Sequence, residues 1–121
     1  MKWPEKVIFC EVGPRDGLQN EPSVLPVEKK LALIEGAADA GVRIIEMGSF
    51  MNPKAVPQMA DTDEVARKLK KKPGVEYRAL VANLKGVERA LASGITKVKL
   101  VLSASEAHAM ANLKKTIAQL E

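Results

Sequence analysis

The feature that most constrains the fold is a repeated alternation of short apolar stretches with longer stretches of helical spacing. Strands are predicted at residues 6–11 (KVIFCE), 42–47 (VRIIEM), 76–81 (EYRALV) and 97–102 (KVKLVL). Helices are predicted at residues 26–40, 59–72, 84–93 and 105–121. Gly41, Gly94 and the pair Pro73-Gly74 are placed to end the first three helices. The order βαβαβαβα implies parallel strands joined by right-handed crossovers.

Two architectures are compatible with this order, an open doubly wound sheet and part of a (β/α)₈ barrel. A complete barrel needs about 250 residues, whereas this chain has 121. We therefore predict an α/β fold in one domain, residues 1–121, that forms a parallel (β/α)₄ half of a TIM barrel. Only 3% of the residues are aromatic, so Val, Ile, Leu, Ala and Met must build the core. We also expect the face that lines the barrel interior to be apolar.

Charge and cysteine content exclude several classes of function. The net charge is +4, and the lysine cluster at residues 68–72 is interpreted as a solvated helix end, because it lacks the aromatic residues typical of nucleic-acid binding. The single cysteine, Cys10, excludes an internal disulfide and is interpreted as a buried strand residue. No apolar run is long enough to span a membrane, and the start lacks a signal peptide's apolar core. A cytoplasmic protein with no nucleic-acid or membrane partner is predicted.

Polar residues lie at or after the end of every predicted strand. They are Glu11, Arg15, Asp16, Gln19 and Asn20 at the first, Glu46, Ser49 and Asn52 at the second, Asn83 at the third, and Ser103, Ser105, Glu106 and His108 at the fourth. The carboxyl ends of parallel strands share one rim, where ligands bind in α/β folds. The sequence therefore predicts a functional site at this rim.

The residues themselves leave the chemistry of this rim open. Asp16 is a carboxylate in a glycine-flanked loop, and hard divalent cations prefer such oxygen ligands. Arg15 could fork onto a carboxylate or stabilise an oxyanion, and Glu46 is a candidate buried acid beside it. The alternatives are that Arg15 and Asp16 cap a turn, that Glu46 forms an ordinary salt bridge, and that His108 is a surface or capping group.

The motif EVGPRDGLQNE at 11–21 resembles the signature of the 3-hydroxy-3-methylglutaryl-CoA lyase family, metal-dependent enzymes built on TIM barrels. Further segments resemble the following units of that family: IIEMGSF (44–50), NPKAVPQMAD (52–61), ALVANLKGVERALASG (79–94) and SASEAH (103–108). The resemblance implies retro-Claisen cleavage of an acyl-CoA substrate to acetyl-CoA and acetoacetate. A Claisen-condensing acyl transferase of the same superfamily is the alternative, although such enzymes usually lack the Glu-Val-Gly-Pro prefix.

The resemblance also implies roles for individual residues. Asp16 matches the ligand of the divalent cation, usually Mg²⁺ or Mn²⁺. Arg15 matches the catalytic, substrate-binding arginine that stabilises the enolate oxygen, and Gln19 matches a residue that lines the same pocket. Glu46 matches an acid close to that arginine and is the second predicted catalytic residue, and Glu11 matches a supporting acid at the end of the first strand.

Other family features have no match in these residues. The family's remaining metal ligands, a His-x-His pair and a later asparagine, are absent from the sequence, and Cys10 is no substitute for the family's loop cysteine. We therefore expect a partial active site. The chain is either the N-terminal half of a lyase, completed by a C-terminal half or by a second copy in a homodimer, or a non-catalytic half-barrel scaffold.

Overall fold

The computed structural model describes residues 2–100 of the chain. Its strands are β1 (Cys10–Glu11), β2 (Ile44–Ser49), β3 (Glu76–Val81) and β4 (Lys97–Leu100). Its helices are α1 (Val27–Asp39), α2 (Thr62–Lys68) and α3 (Leu84–Ala92). The helix predicted at residues 105–121 and the rim residues Ser103, Ser105, Glu106 and His108 lie outside the described residues.

The four strands form one parallel sheet in the order β1-β2-β3-β4. Sequential order is that of a barrel segment, since a doubly wound sheet reverses its strand order at a switch point. One buried cluster joins all three helices to the sheet, through residues such as Ile34 of α1, Val65 of α2 and Ala90 of α3. The predicted (β/α)₄ architecture is confirmed within the described part. None of the helices described is both long and apolar enough to cross a bilayer.

The helix-facing side of the sheet is apolar because every second strand residue is apolar. Ile45 and Met47 of β2 and the β3 residues Tyr77, Ala79 and Val81 all belong to the buried cluster. The largest fully buried apolar side chains are Ile34, Ile45, Met59, Ile95 and Val65. The core is thus built almost entirely without aromatic residues, as the composition predicts.

The first strand is shorter and more exposed than predicted. Only Cys10 and Glu11 pair with β2, opposite Ile44 and Ile45. The preceding Val7, Ile8 and Phe9 are 76%, 69% and 65% exposed, and Cys10 is only half-buried. The prediction of a six-residue buried strand was wrong because β1 is an edge strand in the described structure, with β2 as its one neighbour. Residues 7–9 do not pair with β2, so no neighbouring strand covers them.

The second helix also ends earlier than predicted. Leu69 leaves the helix with an extended backbone (φ −65°, ψ 126°) and is buried. Of the lysine cluster, only Lys68 lies in α2, where it pairs with Glu64 at 2.9 Å. Lys71 instead donates to the Gly94 carbonyl at 2.5 Å. Burial of Leu69 and the Pro73-Gly74 turn therefore outweigh the helical propensity of the lysines.

The inner face of the sheet, opposite the helices, is charged rather than apolar. Strand register aligns Glu46 with Arg78, Arg78 with Lys97, and Leu80 with Lys99. Glu76 pairs with Lys97 at 2.6 Å and also with Arg78. The expectation of an apolar interior was wrong. Charged and other residues alternate in EYR (76–78) and KVK (97–99), which places Glu76, Arg78, Lys97 and Lys99 on one face of the sheet.

A bulge in β2 brings two consecutive residues toward α2. The register of β2 against β3 shifts between Glu46 and Gly48. Met47 is buried in the core, and a Cβ at Gly48 would lie 2.7 Å from Cγ2 and 2.9 Å from Oγ1 of Thr62. Thr62 cannot withdraw freely, because its hydroxyl donates to the Met59 carbonyl at 2.8 Å. Gly48 therefore allows α2 to approach the sheet closely.

Gly48→Ala is expected to lower the free energy of unfolding by about 1–3 kcal/mol, as overpacked cores do. Urea unfolding measures this change. The loss of stability caused by Gly48→Ala should be smaller in a Thr62→Ala background, because Cγ2 and Oγ1 of Thr62 are then absent. Gly36→Ala is the control, since nothing lies within 4 Å of a Cβ there and α1 should be stabilised by up to about 1 kcal/mol. An unchanged urea midpoint for Gly48→Ala would contradict this account.

Candidate active site at the carboxyl rim

The site is built on the turn that follows β1. The Val12 carbonyl accepts the backbone N–H groups of Arg15 at 3.1 Å and Asp16 at 2.7 Å, which closes one wide turn over Gly13–Gly17. Glu11 Oε1 accepts the Gly13 N–H at 2.8 Å, and a Cβ on Gly13 would come within 2.9 Å of that same oxygen. The turn therefore holds Arg15 and Asp16 side by side at the rim.

Arg15 is bound to Glu46, which lies inside β2 rather than at the predicted strand end, because the strand continues to Ser49. Its Nε and Nη2 both donate to Glu46 Oε1, at 3.0 and 2.8 Å. The other oxygen, Oε2, accepts from Lys99 Nζ of β4 at 3.1 Å. The Glu46 side chain is only 3% exposed and that of Arg15 13%. The expectation of a buried acid beside Arg15 is confirmed in its geometry, while the catalytic roles of both residues stay predictions.

The surroundings of Glu46 hold it in the charged form. Burial favours the neutral carboxyl and raises its pKa, but the hydrogen bonds and positive charges of Arg15 and Lys99 outweigh burial. The net result is a pKa of Glu46 below its ordinary value. At neutral pH the rim therefore holds a buried carboxylate between two cations.

Asp16 lies at the solvent side of the same turn. Its side chain is 56% exposed, and Oδ1 lies 3.6 Å from Arg15 Nη1. Asn20 Nδ2 donates to the Asp16 carbonyl at 2.9 Å and lies 3.4 Å from Oδ1. Within residues 2–100, no three His, Cys, Asp or Glu side chains converge on one point. The described residues thus form no multi-ligand metal cluster around Asp16.

The other predicted rim residues divide into two groups. Glu11 and Asn20 bind backbone of the turn, which is the capping role. Asn83 likewise caps α3 by accepting the Gly86 N–H at 2.9 Å. In contrast, Gln19 Oε1 and the Ser49 hydroxyl are buried without a hydrogen-bond partner in the described part of the chain. These two groups remain available to a ligand or to a neighbouring segment.

Sequence reasoning missed the residues that anchor the rim. Lys99 lies 53 positions from Glu46, and only the alternation KVK on an inner face could have indicated it. Gln58 Nε2 donates to the Glu21 carbonyl at 2.8 Å, and buried Lys30 donates to the Gln58 carbonyl and to Asp61 Oδ1, each at 2.5 Å. These contacts connect the end of the turn to α1 and to the start of α2.

Comparison with known proteins places this geometry in a family. Residues 6–121 match the model of the family described as HMGL-like. The chain is 48% identical over 117 residues to a 3-hydroxy-3-isohexenylglutaryl-CoA/hydroxy-methylglutaryl-CoA lyase of Pseudomonas aeruginosa, covering 97% of this chain but 39% of that protein. The chain thus spans about two fifths of the length of this curated relative.

Solved structures agree with this match. An HMG-CoA lyase of Bacillus subtilis superimposes with a TM-score of 0.94 at 42% identity, over 99% of this chain and 40% of that one. An HMG-CoA lyase of Acinetobacter baumannii, solved with coenzyme A and 3-methylmalate, gives a TM-score of 0.91 at 42% identity, over 93% of this chain and 37% of that one.

The lowered pKa of Glu46 predicts a specific loss of stability in acid. Glu46 contributes stability above the ordinary glutamate pKa, about 4.3, and this contribution is lost as the pH falls through the lowered folded-state pKa. Glu46→Gln should therefore lower the free energy of unfolding by about 1–3 kcal/mol at pH 7. The difference from the parent chain should shrink toward pH 3.

Urea unfolding between pH 7 and pH 3 measures that difference. Glu88→Gln, at an exposed position of α3, is the matched control and should change stability little at any pH. A cost of Glu46→Gln that stays constant across the acid range would show that the charge of Glu46 is not what stabilises the rim.

Proposed function

Since this chain belongs to the HMGL-like family, we propose that it forms the N-terminal part of a hydroxymethylglutaryl-CoA lyase. Such an enzyme cleaves 3-hydroxy-3-methylglutaryl-CoA to acetyl-CoA and acetoacetate. The observation that carries the proposal is the Arg15–Glu46 pair beside Asp16 at the carboxyl rim. An acyl-CoA substrate is further supported by the relative from A. baumannii, whose structure contains coenzyme A.

Arg15 is proposed to stabilise the charge that develops during cleavage. In a retro-Claisen reaction the tertiary hydroxyl loses its proton, the carbon–carbon bond breaks, and its electron pair passes to the thioester as an enolate. A guanidinium fixed in a water-poor site stabilises such an oxyanion without having to reorient. Arg15 is held by two hydrogen bonds to Glu46, with Nη1 facing Asp16.

Glu46 and the remaining predicted residues are assigned supporting roles. Both oxygens of Glu46 are engaged by cations and its pKa is lowered, so it suits orientation of Arg15 better than proton abstraction. Glu11 closes the turn by holding the Gly13 N–H. Gln19, with its buried unpaired oxygen, is proposed to line the substrate pocket.

A divalent cation, Mg²⁺ or Mn²⁺, is proposed to bind at Asp16. The exposed carboxylate suits a hard cation, but Mg²⁺ needs near-octahedral oxygen coordination, and residues 2–100 supply no cluster of carboxylate or imidazole ligands. Asp16 therefore fits as one ligand of a site shared with other residues. When bound, the cation supplies Lewis acidity and orients the substrate.

The barrel is proposed to be completed by a complementary segment. Beside the edge strand β1, apolar Val7 and Phe9 and the α1 residue Leu33 are 76%, 65% and 49% exposed, which suits a surface that packs against further (β/α) units. Closure by a second copy, as a homodimer, is the alternative. The inner face disfavours it, because each of its two clusters has two cations for one carboxylate and a second copy would repeat that excess.

The protein is proposed to act in the cytoplasm, in keeping with its single cysteine. A non-catalytic half-barrel scaffold is the second candidate function. It is favoured by the lack of a multi-ligand metal cluster within residues 2–100.

A hybrid enzyme tests the proposed function. This chain is fused to the part of the P. aeruginosa relative that it does not span, and cleavage of 3-hydroxy-3-methylglutaryl-CoA is measured with Mg²⁺ or Mn²⁺. We expect metal-dependent turnover that Arg15→Gln lowers by about 10²–10³-fold, the usual effect of removing an oxyanion donor. Asp16→Asn should weaken the dependence on the cation.

The matched control is Arg67→Gln, which removes an exposed arginine from α2 and should leave turnover unchanged. A folded hybrid without turnover, or one that is insensitive to Arg15→Gln, would contradict the lyase proposal and favour the scaffold.

A further inference from the structure

The geometry of the Arg15–Glu46 pair is unusual for an isolated arginine and carboxylate. Such a pair commonly forms a fork in which two N–H groups bind two different oxygens. Here Nε and Nη2 of Arg15 share one oxygen, Oε1 of Glu46. The second oxygen is occupied by Lys99 Nζ at 3.1 Å. Lys99 Nζ thus binds the oxygen that the second N–H group of such a fork would bind.

We propose that Lys99 is a positioning residue for Arg15, which excludes the guanidinium from Glu46 Oε2 and so keeps Nη1 directed at Asp16. This inference rests on the proposed function in treating Arg15 as the group that contacts substrate. Nη1 lies 3.6 Å from Asp16 Oδ1, so a rotation of the guanidinium onto Oε2 would carry it out of this arrangement.

The second charged cluster on the inner face provides an internal comparison. Glu76 also binds an arginine and a lysine, and the two cations again take separate oxygens: Arg78 Nε binds Oε2, and Lys97 Nζ binds Oε1 at 2.6 Å. Lys97 lies two positions before Lys99 on the same face of β4. In both clusters, therefore, the lysine and the arginine occupy different oxygens of the carboxylate that they share.

The charged groups around Glu46 come from three elements. Arg15 comes from the turn after β1, Lys99 from β4, and Arg78 is the register neighbour on β3 but is bound to Glu76. Asp16 faces Arg15 rather than Glu46. Lys99 is therefore the one group described here whose removal would free Oε2, and its side chain is 44% exposed, so truncation leaves no large cavity.

The test compares Lys99→Met with Lys99→Arg in the 121-residue chain. Crystal structures of both variants give the direct readout. In Lys99→Met we expect the Arg15 guanidinium to move onto both oxygens of Glu46 and Nη1 to leave Asp16. In Lys99→Arg the parental arrangement should persist. ¹³C NMR of the Glu46 carboxyl should show a higher pKa in Lys99→Met, restored by Lys99→Arg.

Lys97→Met is the matched control, because it removes a lysine from the same face of the same strand but from the Glu76 cluster. In the hybrid enzyme, Lys99→Met should lower kcat by about 10-fold with little change in KM, as loss of a supporting contact does, whereas Lys97→Met should not. The structural and NMR readouts do not need activity, so they stay valid if the lyase proposal fails.

The inference is overturned if Arg15 keeps both N–H groups on Oε1 in Lys99→Met, or if Lys97→Met moves Arg15 equally. Should Lys99→Met fail to fold, Lys99→Ala offers the same comparison with less added apolar surface. A chain that unfolds with every neutral residue at position 99, yet folds with arginine there, would also overturn the inference, since Lys99 would then stabilise the fold rather than position Arg15.

Discussion

The ion pair between Arg15 and Glu46 is the interaction on which the rim depends. It joins the turn after β1 to the middle of β2, across 31 positions of sequence. Glu46 is almost fully buried, and a buried carboxylate without partners would be strongly unfavourable. Arg15 and Lys99 offset this cost and keep Glu46 charged, so three chain segments must meet at one point. The same contacts that stabilise the rim hold Arg15 beside Asp16.

The two faces of the sheet explain why this segment suits part of a larger barrel. The helix-facing side buries a continuous apolar core and is complete around β2 and β3. The inner face instead carries two clusters of charge, and the edge beside β1 leaves Val7 and Phe9 exposed. On the inner face, Glu46 pairs with Arg15 and Lys99, and Glu76 pairs with Arg78 and Lys97. Both inner-face carboxylates are thus paired within the segment, whereas the apolar residues beside β1 stay exposed.

Much of the fold follows from local patterns, and the exceptions have physical causes. β3 was predicted with its correct bounds, since the mainly apolar stretch EYRALV lies between the turn residues Pro73-Gly74 and Asn83. β1 was not, because burial of an edge strand depends on neighbours that local sequence does not reveal. Arg15 was predicted to lie near Glu46, and it does, although Glu46 lies inside β2 rather than at its end. Lys99 was missed because its contact depends on the register of β4, which no local pattern sets.

We propose that Asp16 supplies one ligand of a divalent-cation site shared with other residues. Paramagnetic broadening by Mn²⁺ in ¹⁵N NMR spectra of the chain is the first measurement to make. Amide signals of the turn at Gly13–Gly17 should broaden first, at weak affinity, and Asp16→Asn should remove the effect. Broadening centred instead on Glu76, at the opposite end of the sheet, or persisting unchanged in Asp16→Asn, would contradict it.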